Sequence, residues 1–263
     1  MPFVTVDELK LAYDDIGSGS PVILIHGFPF NRSLWNDQVA ELSKSHRIII
    51  PDLRGFGESD SSPGAATMTR LAQDVAVLMD ALNLPQAIFG GLSMGGYVVL
   101  AFCKQFPSRV RALILADTRA QGDTEEGKQG RAQQAERTLS EGMAPIADSM
   151  LPKLLTPETV AKHPEVVKRV RDMMMKTKPE GAAAALLGMA AREDQTGLLS
   201  KIDVPTLILV GKNDAITPAS DSETMHAKIA GSKLVIIEGA GHVSNIEQAE
   251  KFNREVKEFL SSL

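Results

Sequence analysis

Apolar runs and amphipathic segments alternate along most of this chain. Residues 21–27 (PVILIHG), 47–52 (RIIIPD) and 109–117 (RVRALILAD) are nearly unbroken apolar runs, which are typical of strands covered on both faces. Between the last two runs, residues 69–84 (TRLAQDVAVLMDALNL) carry leucine and valine at helical spacing, which predicts an amphipathic helix. Strands that alternate with helices predict a mostly parallel sheet with helices on both of its faces.

One long segment interrupts this alternation. Residues 119–198 contain no convincing strand and are rich in alanine, methionine and charged residues. Glycine and proline are expected to divide the segment into separate helices, at Gly142, Pro152, Pro157, Pro164 and Pro179. The strand pattern resumes at residues 206–214 and 233–242. We therefore predict a core α/β domain made of residues 1–118 and 199–263, with 119–198 as a helical insertion.

Composition and charge exclude several classes of partner. The 263 residues have a formal net charge of −5 with both signs mixed, so no basic stripe indicates nucleic acid or an anionic membrane. A single cysteine, Cys103, excludes an internal disulfide framework and fits a reducing compartment. No signal peptide is evident, and no run reaches the roughly 18 apolar residues of a membrane span. A cytoplasmic monomer or small homo-oligomer is expected.

The segment GGLSMGG, residues 90–96, places glycines on both sides of one serine. A strand is predicted before it and a helix after it, so a tight strand-to-helix turn is expected rather than a linker. Gly91 and Gly95 would remove the side chains that clash where the two backbones cross. Ser93 would then lie on a strained turn with its hydroxyl above the sheet, beside a helix N-terminus that favours negative charge.

A serine hydroxyl needs a base, and His242 is the preferred candidate. Open parallel sheets form their sites at the C-terminal ends of the strands, and His242 follows the last predicted strand. The other four histidines lie before a strand, in the insertion, within a helix or beside a glycine (His46, His163, His226 and His26). For His26, the backbone of the adjoining turn is expected to matter more than the ring.

A carboxylate must then fix the tautomer and orientation of the imidazole. Two aspartates end predicted strands before the histidine, Asp214 and Asp117. Asp214 is preferred because it lies in a short polar loop, closed by Pro218, that suits the presentation of a side chain. Asp117 is the alternative acid, although it could instead cap the first helix of the insertion.

The oxyanion that forms during attack on a carbonyl needs fixed N–H donors. One donor is expected from Met94, at the start of the helix that follows the serine. The second is expected from the turn after residues 21–27, where Phe28 has an N–H and Pro29 has none. An ordinary strand-ending turn is the alternative interpretation of this segment.

Five of these segments together resemble the α/β-hydrolase fold family, and the resemblance covers nearly the whole chain. HGFP (26–29) resembles the oxyanion turn of that family, DLRGFGES (52–59) its following loop and GLSMGG (91–96) its nucleophile elbow. VGKNDAITP (210–218) and GAGHVSNIE (239–247) resemble its acid and histidine loops. Five matches in the correct order are far more specific than any one of them alone.

The resemblance implies an eight-stranded, mostly parallel sheet, with residues 119–198 as a helical cap over the pocket. It also implies a catalytic triad and two backbone oxyanion donors: Ser93, Asp214 and His242, with Phe28 and Met94. Many members carry proline where this chain has Ala249, a departure that concerns the start of the last helix and not the chemistry.

The serine also narrows the reaction that the resemblance implies. Haloalkane dehalogenases and epoxide hydrolases of this family typically use aspartate at the position of Ser93. A serine forms an acyl-enzyme, which points to small esters or lactones as the partner, with no metal or cofactor. The segments ADTRA (116–120) and MAARED (189–194) resemble the branch of enol-lactonases and small-ester carboxylesterases. Perhydrolysis or C–C bond hydrolysis on the same triad, and a ligand-binding protein without turnover, are the alternatives.

Candidates for the lining of a substrate pocket are Trp35, Met143, Met150 and Met174. Methionine adapts to irregular apolar surfaces, but at helical spacing the preferred interpretation is that the three methionines form the core of the cap. The tryptophan could line the pocket or pack below it. Two arginines, Arg119 and Arg192, could meet a carboxylate of the substrate, although a solvated position is the preferred interpretation.

Overall fold

A single sheet organises the structure. The computed structural model describes residues 2–263, and within them the strands are β1 (Phe3–Val6), β2 (Leu9–Ile16), β3 (Pro21–Ile25), β4 (Arg47–Pro51), β5 (Ala87–Leu92), β6 (Val110–Ala116), β7 (Thr206–Gly211) and β8 (Lys233–Ile237). Their order across the sheet is β1-β2-β4-β3-β5-β6-β7-β8. β1 and β2, and β2 and β4, pair antiparallel. All other pairs are parallel, which confirms the predicted eight-stranded, mostly parallel sheet.

Helices fill most of the connections between these strands. In the described part of the chain they are α1 (Asn36–Leu42), α2 (Met68–Ala81), α3 (Met94–Gln105), α4 (Glu125–Glu141), α5 (Ala144–Leu154), α6 (Pro157–Lys162), α7 (Pro164–Met175), α8 (Pro179–Ala190), α9 (Thr196–Leu199), α10 (Ala219–Lys228), α11 (Ser244–Glu247) and α12 (Ala249–Ser261). α2 packs against α3, and α1 packs against α12. The last two of these helices, α11 and α12, follow β8.

The central strands are buried on both faces, which explains their apolar sequences. Every residue of β5 and β7 is buried, and in β6 only Arg111 is exposed. The edge strand β8 differs, because most of its residues are exposed or half-buried. Burial on both faces removes the polar alternation of a half-exposed strand, so these segments read as continuous apolar runs.

The segment between β6 and β7 is helical, as predicted. Gly142 follows α4 with a positive φ, and three prolines each begin a helix, α6, α7 and α8. The predicted break at Pro152 is wrong, because this residue lies inside α5, two residues before its end. There the proline removes only one helical hydrogen bond, and the turn that contains it continues to Leu154.

The helical segment contacts the rest of the chain closely. The N–H of Ala66 donates to the carbonyl oxygen of Ala184 at 2.9 Å. Gly181 in α8 packs so closely on the backbone of Gly55 that a Cβ at either position would overlap the other residue. The division into a core (1–118 and 199–263) and a cap (119–198) stays a prediction.

Candidate active site

Ser93 lies on the sharp turn between β5 and α3. Its φ of 54° is in the left-handed region, which is strained for a residue with a side chain. Two hydrogen bonds hold the strained backbone: its N–H donates to the carbonyl of Ala116 at 3.0 Å, and its own carbonyl accepts from the hydroxyl of Thr118 at 2.7 Å. Both partners come from the end of β6 and the residues just after it, so the neighbouring strand fixes the turn.

Glycine is required on both sides of this serine. A Cβ at Gly91 would overlap the carbonyl group of Gly95, and a Cβ at Gly95 would overlap the carbonyl oxygen of Ile25 in β3. The helix therefore begins against the strands with no room for side chains at the crossing. This agrees with the reason that the sequence gives for the two glycines.

The Ser93 hydroxyl is the first member of a buried hydrogen-bonded chain. It lies 2.8 Å from Nε2 of His242, and Nδ1 of the same ring lies 2.8 Å from Oδ2 of Asp214. Because the carboxylate can only accept, Nδ1 carries the proton and Nε2 is left to accept from the serine. Ser93 is 8% exposed, and both partners are buried. The structure thus brings together the three predicted side chains.

The loop after β7 fixes the carboxylate of Asp214. Its Oδ1 accepts from the backbone N–H groups of Ile216 and Thr217, at 2.8 and 2.9 Å, and its Oδ2 accepts from the Thr217 hydroxyl at 2.8 Å. Burial would raise the pKa of this carboxyl, but the imidazole of His242 and these donors outweigh burial and hold the pKa below its ordinary value. Asp214 is therefore ionised at neutral pH.

His242 is held in place by the helical segment as well as by the sheet. Its backbone N–H donates at 2.9 Å to the carbonyl of Leu154, the last residue of α5. Burial would lower the pKa of the imidazole, but the adjacent Asp214 carboxylate outweighs burial and raises the pKa above its ordinary value. The Asp214 carboxylate therefore stabilises the imidazolium that forms when His242 accepts a proton.

Asp117 does not cap a helix, so that interpretation is wrong. The first helix of the insertion begins after Thr124, whose hydroxyl accepts from the N–H of Gly127. Asp117 is instead fully buried: its Oδ1 accepts from the N–H of Gly211 at 2.8 Å, and its Oδ2 is 2.6 Å from the Ser244 hydroxyl. Burial, followed by the negative charge of Asp214, raises the pKa of Asp117 to about 8.

The two expected oxyanion donors have free N–H groups. Within residues 2–263, the backbone N–H of neither Phe28 nor Met94 donates to a protein acceptor. Met94 directly follows the serine at the start of α3, and Phe28 follows the turn at the end of β3. Their role as oxyanion donors stays a prediction.

The ring of His26 matters more than the sequence indicates. It is buried, its Nε2 accepts from the N–H of Leu53 at 3.0 Å, and its Nδ1 is 3.0 Å from the carbonyl of Gly27. Because Nε2 accepts, Nδ1 carries the proton and donates to that carbonyl. Burial lowers the pKa of the ring. The neutral imidazole thus ties the turn after β3 to the loop after β4, a structural role that the sequence did not indicate for the ring.

The candidate pocket residues lie mostly in apolar packing. Trp35 is buried, and its ring centroid is 6.2 Å from that of Phe252 in α12. Met143 and Met174 are buried with the other core residues, and Met150 is partly buried against them. These positions agree with the alternative that they form packing rather than pocket. Contact with a substrate stays a prediction for all four.

Arg192 is not solvated, so the preferred interpretation of this residue is wrong. Its side chain is 4% exposed and pairs with Asp123 at 2.8 Å. Its guanidinium lies 4.3 Å from the centroid of the Tyr97 ring in α3. It also donates to the carbonyls of Met189 and Gln121. These bonds link both ends of the helical segment to the helix that follows Ser93.

Among residues 2–263, no group of three or more His, Cys, Asp or Glu side chains could hold a metal ion. No helix in the same range combines the length and the apolar character that crossing a membrane requires.

Comparison with known proteins agrees with the fold. The family model for the alpha/beta hydrolase fold matches residues 20–249. The chain therefore belongs to the α/β-hydrolase fold family, which confirms the family and the fold expected from the sequence.

Several relatives match nearly the full chain. A thermophilic esterase from Thermogutta terrifontis, solved with malate bound, is 45% identical with a TM-score of 0.97, over 100% of this chain and 99% of that one. The enol-lactonase from Burkholderia xenovorans is 32% identical with a TM-score of 0.92, over 99% and 100%. In sequence, 3-oxoadipate enol-lactonase 2 from Acinetobacter baylyi is 31% identical over 97% of this chain and 94% of its own.

Proposed function

We propose that this protein is a serine hydrolase of small carboxylic esters or lactones that forms an acyl-enzyme. The observation that carries the proposal is the hydrogen-bonded chain from Asp214 through His242 to the Ser93 hydroxyl. The coarser prediction, a carboxylic ester hydrolase, is confirmed by relatives that are enol-lactonases and esterases. A ligand-binding protein without turnover would not need a hydroxyl, an imidazole and a carboxylate in this alignment.

In the first step, the Ser93 oxygen attacks the carbonyl carbon of the substrate. Nε2 of His242 takes the hydroxyl proton as the new C–O bond forms, and Asp214 stabilises the resulting imidazolium through Nδ1–H. The carbonyl oxygen becomes an oxyanion, for which the free N–H groups of Phe28 and Met94 are the proposed donors. The positive charge that forms on His242 is therefore stabilised by Asp214, and the negative charge on the substrate oxygen is stabilised by the proposed N–H donors.

The second half of the reaction uses the same groups in reverse. The bond to the leaving alkoxide breaks, and the imidazolium of His242 gives its proton to that oxygen. In a lactone the alkoxide remains attached to the acyl group, because the ring opens. A water molecule then attacks the acyl carbon while His242 takes one of its protons. The bond from the acyl carbon to Oγ of Ser93 breaks, His242 returns the proton to that oxygen, and the acid is released.

Labelling with an organophosphonate tests the proposed nucleophile. We expect one phosphonyl group per chain, on the hydroxyl oxygen of Ser93, because among residues 2–263 only this serine is hydrogen-bonded to Nε2 of a buried histidine. Intact-mass and peptide mass spectrometry measure the number and the position of adducts. A single adduct on another residue would contradict the proposal.

Hydrolysis assays with p-nitrophenyl esters of graded acyl length and a series of lactones define the acyl preference.

The rate of ester hydrolysis is expected to rise with pH through one ionisation centred above 6.5, the ordinary pKa of histidine. His242 accepts the serine proton only when it is neutral, and its pKa is raised, so the neutral form dominates only above that value. Profiles of kcat/KM against pH measure the midpoint. In the Ser93→Ala variant, an NMR titration of the same imidazole provides an independent value. A midpoint clearly below 6.5 in both would contradict the proposed role of Asp214.

A further inference from the structure

One carboxylate joins the loop that carries His242 to the helical insertion. Glu247, the last residue of α11, is half-buried. Its Oε2 accepts from the backbone N–H of Gly241, the residue before the histidine, at 2.6 Å. Its Oε1 accepts from the backbone N–H and the hydroxyl of Thr156, at 2.8 and 3.0 Å. Thr156 is 91 residues away in sequence, in the turn between α5 and α6, so the carboxylate bridges two distant segments.

The turn between α5 and α6 also contacts the histidine loop directly. The carbonyl oxygen of Leu154 accepts from the backbone N–H of His242 at 2.9 Å. A Cβ at Gly241 would lie 2.9 Å from that carbonyl oxygen and 3.2 Å from Oε2 of Glu247, which is closer than an ordinary contact. The same turn therefore fixes the backbone at two consecutive positions, at His242 directly and at Gly241 through the carboxylate.

The imidazole depends on these contacts because it is presented by a loop. β8 ends at Ile237 and α11 begins at Ser244, so no sheet ladder holds residues 238–243. Both ring nitrogens of His242 make contacts of 2.8 Å, and a small movement of the backbone would lengthen at least one of them. Hydrogen bonds to an ionised carboxylate are stronger than bonds between neutral groups, so this side chain suits the task of holding the loop.

We propose that Glu247 is a positioning residue for the reaction, which holds the loop so that the imidazole of His242 stays aligned between Asp214 and Ser93. The inference rests on the proposed function. Within residues 2–263 the carboxylate bonds the backbone beside the histidine and the turn after α5, and it bonds neither the imidazole nor the serine hydroxyl. Its effect on the reaction therefore acts through the position of the ring.

Two substitutions of Glu247 separate the geometry of the carboxylate from its charge. Glu247→Asp keeps the charge, but its side chain is one methylene shorter and cannot hold both segments at their present distances. Glu247→Gln keeps the length, but an amide has only one accepting oxygen, so one segment loses its acceptor. The matched control is Glu255→Gln, which removes a half-buried carboxylate that pairs with Lys233 from α12. Melting temperatures show whether each variant is folded under the assay conditions.

We expect kcat on p-nitrophenyl acetate to fall by about tenfold or more in both Glu247 variants, because small displacements of a reacting group are costly. KM should stay within about twofold, since the lost alignment matters in the transition state. Glu255→Gln should leave both constants within about twofold of the unmodified protein.

The pH profile gives a readout that a purely structural role would not change. The midpoint of kcat/KM against pH should move down toward 6.5 in both Glu247 variants, because a displaced imidazole is stabilised less by the Asp214 carboxylate. The other charged groups that act on the imidazole, Asp117 and Arg119, are the same in every variant. An NMR titration of the imidazole, with Ser93→Ala added to each protein, measures the same midpoint without turnover.

The outcomes that would overturn the proposal are distinct. An unchanged midpoint in folded Glu247→Asp would leave the carboxylate with a structural role only, even if the melting temperature fell. A midpoint that moves in Glu247→Gln but not in Glu247→Asp would be an effect of charge, and an equal shift in Glu255→Gln would be a general effect. If Glu247→Gln does not fold, Glu247→Asp decides. If the unmodified protein hydrolyses no acyl compound, the proposed function fails, and the NMR midpoints still decide whether Glu247 aligns the imidazole.

Discussion

Replacing Ser93 by alanine is expected to lower the turnover of a small ester by about 10⁶-fold, the scale known for loss of a serine nucleophile. The change removes only the oxygen that would form the acyl-enzyme. The positive φ at this position is equally strained for alanine, and the two backbone hydrogen bonds that hold the turn remain. The melting temperature should therefore change little, and kcat measured on p-nitrophenyl acetate reports the chemical loss.

A second serine variant controls for this measurement. Ser149→Ala removes a hydroxyl in α5 that donates to the carbonyl of Ile146, far along the chain from the turn. Its turnover should stay within about twofold of the unmodified protein. If Ser93→Ala retained more than about a hundredth of the rate, the nucleophile would have to be another group.

The nucleophile turn was predictable because its causes are local. A buried strand, two glycines that allow a close crossing and an apolar helix lie within about 20 residues, and each has its own sequence pattern. The helices of the insertion were predictable for the same reason, since proline suits the first turn of a helix. Pro152 departs from that rule, because a proline near the end of a helix removes one bond without stopping it.

The environment of Asp117 was not predictable, because its partners come from distant parts of the chain. Gly211 is 94 residues away in sequence and Ser244 is 127 residues away, and only the order β6-β7-β8 brings them together. The same holds for the ring of His26, whose partner Leu53 follows the neighbouring strand β4. Sequence motifs identify candidate residues, but they do not show which loops lie next to one another in the folded chain.

Replacing Asp214 by asparagine is expected to lower turnover by roughly 10⁴-fold, the scale known for serine proteases. Oδ1 of Asp214 accepts from two backbone N–H groups, so an asparagine would keep its oxygen there and turn its NH₂ toward Nδ1 of His242. Nδ1 must then accept, which moves the ring proton to Nε2. In that tautomer the ring cannot take the proton of Ser93, although the fold persists.

Asp117→Asn is the matched variant, and we expect it to keep most of its turnover. Because the pKa of Asp117 is raised to about 8, its carboxyl is largely protonated at neutral pH and resembles an asparagine amide in shape and charge. An asparagine can accept from the N–H of Gly211 and donate to the hydroxyl of Ser244. If Asp117→Asn were nearly inactive and Asp214→Asn were active, the acid of the triad would be Asp117.

The melting temperatures of the two aspartate variants, relative to the unmodified protein, should depend on pH in different ways. The unfolded Asp117 carboxyl loses its proton near pH 3.8, whereas the folded one keeps it up to about 8, so its contribution to stability falls as pH rises between these values. Asparagine has no such proton, and the melting temperature of Asp117→Asn relative to the unmodified protein should rise from about pH 5 to about pH 8. The pKa of Asp214 is lowered by folding, so its ionised form stabilises the protein above its ordinary pKa. Asp214→Asn should therefore melt below the unmodified protein at neutral pH, and equal pH dependence in both variants would contradict the assignment of one neutral and one ionised carboxyl.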